Sequence, residues 1–261
     1  MSGVLKRSAI KIWFDVIFAL LVRDVRTGFD DKFGISWAFI QPVAFILVLS
    51  SLRGLIDNGT THSIPTFTFM ACGLVLIQLF LQTFNATSMA INKSKPLFAF
   101  RQVQPISAVI ATSLFELFVK IVVFFCVFIF MYLLGIEIRL DDPILALTVF
   151  FELWVFTVFV GLMVGITQLF LPGVKKLMGL LTRPLFFISG VFFSLQDIPK
   201  EYWYLLDWNP ILHAVELFRF SLYSSYGDLG VSHSYLSLAS ISVAFLSLVL
   251  YQSFWKQAIS Q

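Results

Sequence analysis

The sequence predicts an all-α polytopic membrane protein: a single domain over 1–261 with six transmembrane helices, an amino-terminal interfacial helix, and short re-entrant or interfacial helices before the last span. Residues 33–52, 58–92, 102–136, 143–174 and 229–255 are almost free of charge, and about 20 apolar residues suffice to cross a hydrocarbon core of roughly 30 Å. A sixth stretch, 177–195, is broken only by Arg183. Composition agrees: 59% hydrophobic residues, 31 Phe and only 13% charged residues would leave a soluble globule with an apolar skin.

In chain order, Trp13, Val16, Ile17, Leu20 and Leu21 recur at helical spacing beside Lys11, Asp15, Arg23, Asp24 and Arg26. Residues 9–32 therefore read as a helix lying in the membrane surface, with an ordinary first crossing as the alternative. The run Ile10 to Val22 is interrupted by Asp15 and lacks a small-residue cleavage site, so the amino terminus is expected to stay cytoplasmic. Spans follow at about 34–54, 66–90, 106–134, 143–170, 176–195 and 233–254. Pro42 and Pro184 fall within the first and fifth, where each removes one backbone hydrogen bond and acts as a pivot or a static kink.

Both termini inside places Lys6, Arg7, Lys11, Arg23, Arg26, Lys32, Lys93, Lys95, Arg101, Lys175, Lys176, Arg183 and Lys256 on the cytoplasmic side. Arg53, Arg139, Lys200 and Arg219 fall outside. This imbalance fixes the orientation. It also shows that the net charge of +3 is a topology signal rather than a nucleic-acid footprint. Cys72 and Cys126 lie inside spans and read as packed thiols.

Two connections carry information. In the cytoplasmic loop 92–105, Asn92, Lys93, Lys95 and Arg101 surround the apolar Leu97, Phe98 and Phe100. That pattern suits an amphipathic element that inserts into a groove on a cytoplasmic partner, or a basic loop that only obeys the topology rule. The outer loop 195–232 contains one short helix after Pro199, with Tyr202 and Trp203, ended by Asn209-Pro210. A second helix over Ile211–Tyr223 sets Glu216 and Arg219 three apart, where they can pair. Tyr202, Trp203, Tyr204 and Trp208 suit a membrane interface.

Charges within the hydrocarbon are scarce. Glu116 and Lys120 are four apart on one helix face, and Glu116 lies about 16 Å into its span at 1.5 Å per residue. Glu152 reaches comparable depth from the other side. Facing lipid would cost each a few kcal/mol, so they line a polar path or form a buried ion pair. Gly161 and Gly165 make a small-xxx-small packing pattern. The sequence lacks a phosphate-binding glycine loop, a dinucleotide fingerprint, a His-Glu-x-x-His zinc motif and a nucleophile elbow. Uphill transport would therefore draw on an ion gradient or on a separate nucleotide-hydrolysing subunit.

The chain resembles the permease subunits of ATP-binding-cassette exporters of the second exporter type, most closely the capsular polysaccharide permeases of Gram-negative bacteria. The resemblance covers nearly all of it. The residues that carry it are Arg23-Asp24-Val25-Arg26-Thr27, Phe33-Gly34, the entrance to the first span from Trp37 to Pro42, and Leu97-Phe98-Ala99-Phe100-Arg101 with Pro105. In the carboxy-terminal half they are Arg183-Pro184-Leu185-Phe186-Phe187-Ile188-Ser189-Gly190, Ile198-Pro199-Lys200-Glu201-Tyr202-Trp203, Trp208-Asn209-Pro210 and His213-Ala214-Val215-Glu216-Leu217.

What the resemblance implies is a homodimer joined to two cytoplasmic ATPase subunits that bind ATP and Mg, this chain holding no cofactor and having no catalytic activity of its own. The cargo would be lipid-linked polysaccharide. A periplasmic co-polymerase and an outer-membrane export protein would be further partners. By the same resemblance Arg23, Arg26 and Trp37 sit at the substrate entrance, and Asn92 to Arg101 couple to the ATPase. Glu116, Lys120, Glu152, Arg183, Phe187, Tyr202, Trp203, Glu216 and Arg219 are candidates for the channel or its outer gate. Export of O-antigen or another lipid-linked glycan, and an ion-coupled transporter using Glu116 and Glu152, are the alternatives.

Overall fold

A computed structural model describes residues 8–29, 34–56, 59–100 and 102–260. The helices are α1 (Ala9–Phe29), α2 (Gly34–Ile56), α3 (Thr66–Ser94), α4 (Pro105–Leu133), α5 (Pro143–Phe170), α6 (Gly173–Ile188), α7 (Pro210–Leu222) and α8 (His233–Ser260). Between α2 and α3 lies a hairpin of β1 (Thr60–Thr61) and β2 (Ile64–Pro65), paired antiparallel with Thr60 opposite Pro65. Its two turn residues, His62 and Ser63, both have positive φ, as a tight two-residue hairpin turn demands.

Proline sets several helix starts. Pro105, Pro143 and Pro210 each open a helix, where the missing N–H had no partner to lose. Asp142 and Asn209 cap two of them, accepting from the amides of Leu145 and Ile211 at 2.9 and 3.0 Å.

Nearly the whole of α3 is buried. It is the axis of the bundle, packed by α2, α4, α5 and α7. Small residues allow this. A Cβ on Gly161 of α5 would collide with the Thr87 side chain of α3, and one on Gly165 would lie 3.1 Å from the Ser88 carbonyl oxygen. The small-xxx-small pattern therefore packs α5 against α3 within one subunit. Aromatic rings fill the remaining space, with Phe80 between Phe84 and Phe156 at centroid distances of 5.8 and 6.3 Å.

Among the described residues five helices, α2, α3, α4, α5 and α8, are long and apolar enough to cross a membrane. The sequence-derived fifth span, 176–195, takes a different form. α6 has 16 residues, about 24 Å of helix, and it stops at Ile188. The Ser189 hydroxyl donates to the Leu185 carbonyl at 2.6 Å, and Gly190 then turns the chain with φ of 70°. The irregular segment that follows keeps its backbone satisfied because Arg219 donates to the carbonyls of Val191 and Phe193.

α5 and α8 run parallel: Ser237 meets Glu152 near their starts, and the rings of Phe254 and Phe170 meet near their ends, 5.5 Å apart. The chain must travel back between them, and α6 makes most of that return. We call the end of the bundle holding the α3–α4 and α5–α6 turns the basic end, after Lys93, Lys95, Lys175 and Lys176. The other is the cap end.

Candidate functional site

At the basic end a cavity of about 380 Å³ opens between α1, α3 and α4. α1 reaches it by burying Ile17 and Leu20 against Ala108 and Ala111 of α4. Arg23 donates from Nε and Nη2 to Asp24 Oδ1 at 3.0 and 2.6 Å, and from Nη2 to Ser94 Oγ at 3.3 Å. Thr112 donates to Asp24 Oδ2 at 3.1 Å. These bonds tie α1 to the end of α3 and the start of α4. Lys93 and Glu116 also line the cavity, and among the described residues neither makes a hydrogen bond or an ion pair.

Two adjoining hollows of about 260 and 380 Å³ form a groove between α2, α3 and α6, sharing Phe45, Leu81 and Phe186. Gln41, Gln78 and Gln82 line the first, and Asn85, Thr182, Arg183 and Phe187 line the second. Spacings of four and three put Gln78, Gln82 and Asn85 on one face of α3. Ala86, next to Asn85 and one turn beyond Gln82, already belongs to the basic-end cavity. Phe186, Phe187 and Phe192 pack edge to face or stacked, with centroids 5.4 to 5.8 Å apart. Amides offer donors and acceptors to hydroxyl groups, and ring faces suit stacking. No cluster of metal-ligating side chains occurs among the described residues.

The cap end is organised by Arg219, which has 0% exposure. Its guanidinium donates to Phe69 O at 3.1 and 3.2 Å, to Val191 O at 3.0 Å, to Phe193 O at 3.4 Å and to Glu216 Oε1 at 3.0 Å. It also lies 3.5 Å from the Phe69 ring centroid, a cation–π contact made where no water competes. Glu216 Oε2 in turn accepts from Tyr226 Oη at 2.7 Å and Ser194 Oγ at 3.1 Å. Gly230 completes the cap: a Cβ there would strike the Trp203 ring and Leu195.

His213, also buried, donates from Nε2 to the Asp207 carbonyl at 2.6 Å and accepts from Ser232 N at Nδ1, 3.0 Å. Both nitrogens are thus satisfied in the neutral ring. Burial pushes its pKa below the ordinary value, against the raising effect of the Asp207 carbonyl.

A match to the family described as "ABC-2 type transporter" covers residues 15–223. The chain belongs to the ABC-2 type transporter family. It is similar to the polysialic acid transport protein KpsM of Escherichia coli, with 30% identity over 248 residues, spanning 95% of this chain and 96% of that one. It is also similar to the capsule polysaccharide export inner-membrane protein BexB of Haemophilus influenzae, 23% identical across 96% and 95% of the two chains. The corresponding protein CtrC of Neisseria meningitidis is 21% identical across 92% and 91%. Within the ABC-2 family the chain therefore stands among the permease subunits of Gram-negative capsular polysaccharide exporters, as a multi-pass inner-membrane protein.

This ABC-2 permease gathers some of the residues singled out by sequence and separates others. Arg23, Lys93 and Glu116 share the basic-end cavity, whereas Arg26 is exposed outside it and Trp37 is exposed on α2. Asn92 is exposed on the last turn of α3, and Lys95 and Phe100 are exposed on the α3–α4 connection. Leu97 packs toward α1, and Phe98 turns inward against Ile91, Val109 and Tyr251. Arg101 lies outside the described residues. Arg183 and Phe187 line the groove. Glu152 lines a separate hollow between α5 and α8 with Ser237, its Oε2 3.2 Å from His233 Nε2.

Tyr202 is exposed and Trp203 half-buried in the cap. Residues the sequence reading passed over include Gln78, Gln82 and Asn85 in the groove, Thr112 in the cavity, and Tyr226 in the cap. Amides at a four-residue spacing inside an otherwise apolar span were the available signal for the first two.

Proposed function

We propose that the chain is the membrane-spanning subunit of an ATP-driven exporter that moves lipid-linked capsular polysaccharide across the inner membrane. The carrying observation is the groove between α2, α3 and α6, where Gln41, Gln78, Gln82 and Asn85 alternate with Phe45, Phe186 and Phe187. A polymer that must be gripped and released sugar by sugar needs repeated weak contacts along a groove rather than one deep pocket. The roles of the relatives, capsule polysaccharide export and polysialic acid transport, support the cargo.

The reading extends to topology and assembly. α6 serves as the sixth crossing, since the chain must return between the parallel α5 and α8, and α1 lies in the cytoplasmic interface with Ile10, Phe14 and Phe18 exposed toward lipid. Both termini are then cytoplasmic, and the basic end faces the cytoplasm. No residue of α6 is buried within the subunit, so a second copy covers it and closes the groove into a passage. Two ATPase subunits, holding ATP and Mg, act on the Asn92–Arg101 segment. Because Leu97 and Val103 of that connection pack with α1, and Arg23 is bonded to Ser94, a push there moves the wall of the entrance cavity. A periplasmic co-polymerase and an outer-membrane export protein receive the polymer.

The test is genetic and biochemical. In the source bacterium lacking the gene, the intact chain should return capsular polymer to the surface. A Gln82→Ala/Asn85→Ala chain, present in the membrane at equal amount, should leave polymer inside. Trapped O-antigen instead of capsule would replace the cargo, and unchanged export of every glycan would refute the reading.

A further inference from the structure

Lys120 stands between the two polar spaces just described. Its side chain is 1% exposed in the middle of α4, where an ammonium has no lipid or water to satisfy it. It donates to Oε1 of Gln82 on α3. Gln82 lines the groove. One turn back along α4, Glu116 lines the basic-end cavity, and one turn along α3 from Gln82, Ala86 lines that same cavity. Lys120 therefore connects the turn of α4 that follows the cavity residue Glu116 to Gln82, a residue of the groove.

An ammonium has three donors, and among the described residues the Gln82 amide is the acceptor that Lys120 uses. Glu116, four residues earlier, makes no ion pair with it within contact distance among the described residues. Lys120 is thus a buried cation bonded to a neutral amide, with Glu116 as its electrostatic partner beyond contact distance and donor capacity to spare, one helical turn from an entrance-cavity residue and in contact with a groove residue.

We propose that Lys120 is an anion-binding point inside the pathway, which takes an acidic group, carboxylate or phosphate, from the basic-end cavity and passes it to the Gln82 end of the groove. This rests on reading the groove as the transport path. A buried ammonium raises the local concentration of anions and lowers that of cations. Gln82, released when an anion takes the ammonium, presents its amide to the groove. Glu116 supplies the alternative partner that lets the lysine let go.

The experiment uses the full chain with its ATPase partner in lipid nanodiscs, with Cys72 and Cys126 replaced by serine and a single cysteine at Gln78→Cys, in the groove one turn from Gln82. The probes are two thiosulfonate reagents of similar size, one carrying a sulfonate and one a trimethylammonium group, added during ATP turnover. The sulfonate reagent should label about tenfold faster than the cationic one. Lys120→Met should abolish that preference and Lys120→Arg should preserve it, while all three proteins melt alike. A charge preference that Lys120→Met leaves intact overturns the role of Lys120 and spares the groove as a path. No labelling by either reagent overturns the path itself, and with it the proposal.

Discussion

Substituting Arg219 tests the cap directly, because its environment leaves it no substitute partner. The guanidinium is fully buried and donates to three backbone carbonyls and to Glu216. Removing one member of a buried ion pair costs about 3–5 kcal/mol, chiefly by stranding the other charge. A carbonyl left buried without a donor adds about 1–3 kcal/mol, though groups in one network do not add in full. Arg219→Ala is therefore expected to lose about 4 kcal/mol or more, a large part of the roughly 5–15 kcal/mol that holds a typical domain together.

The double variant Glu216→Gln/Arg219→Met strands no charge and fills the volume, so it should regain about half of that loss. The carbonyls of Phe69, Val191 and Phe193 remain unpaired in both, which sets the ceiling on recovery. Denaturant melts of the purified protein in mild detergent, followed by tryptophan fluorescence, measure wild type, Arg219→Ala, Arg219→Met and the double variant side by side. The reasoning fails if Arg219→Ala loses less than about 1 kcal/mol, or if Arg219→Met alone matches the double variant, since the stranded Glu216 would then cost nothing.

Three further outcomes follow from particular contacts. Gly161→Leu should destabilise by about 1–3 kcal/mol or more, because its side chain would enter the Thr87 position on α3, while Gly54→Leu near the end of α2, with open space around it, should melt as wild type does. Phe98→Ala should cost about 3–5 kcal/mol as a core truncation, whereas Phe100→Ala, 64% exposed, should leave melting unchanged and lower ATP turnover by the assembled complex. The folded pKa of His213 is depressed by burial, so its contribution is complete above the ordinary imidazole pKa and declines as pH falls through the folded value. Hydrogen exchange in α7 should accordingly speed up between pH 7.5 and 5.5 in wild type, and His213→Gln should show a smaller change.

Hydropathy located the helices well because length and charge are properties of contiguous residues. Proline did the same for the starts of α4, α5 and α7. The end of α6 was illegible for the opposite reason: it depends on Arg219, thirty-one positions past Ile188, supplying donors to Val191 and Phe193. Without that arginine, helix would be the cheaper way to satisfy those carbonyls. Leu97, Phe98 and Phe100 read as one apolar cluster in sequence, yet the 3-10 turn over Lys95–Ala99 sends Phe98 into the bundle and leaves Phe100 outside. Charged residues in the spans drew attention to Glu116 and Lys120 correctly as scarce groups, but only the packing of α3 on α4 shows that Gln82 is the partner.

Satisfaction of hydrogen-bonding capacity separates the polar groups of this protein into two kinds. Arg219 and Glu216 have their charges matched and their atoms bonded on several sides, so moving either one breaks many bonds at once, and such groups fix geometry. His213 belongs with them, each ring nitrogen having one partner. Arg183 is exposed in the groove, Lys93 and Glu116 face open space, and Lys120 uses a single amide, so each can exchange partners at small cost. Apart from Arg23 and Asp24, which are bonded to each other, to Ser94 and to Thr112 where α1 is tied to the bundle, the saturated groups lie in the cap and the unsaturated ones along the cavity and the groove. A transport path needs sites whose partners can be replaced by passing cargo, and the wall that bounds it needs sites whose partners cannot. The distribution of spare donors and acceptors in this chain follows that division, with the cap braced at one end and exchangeable groups running along α3 and α4 toward the other.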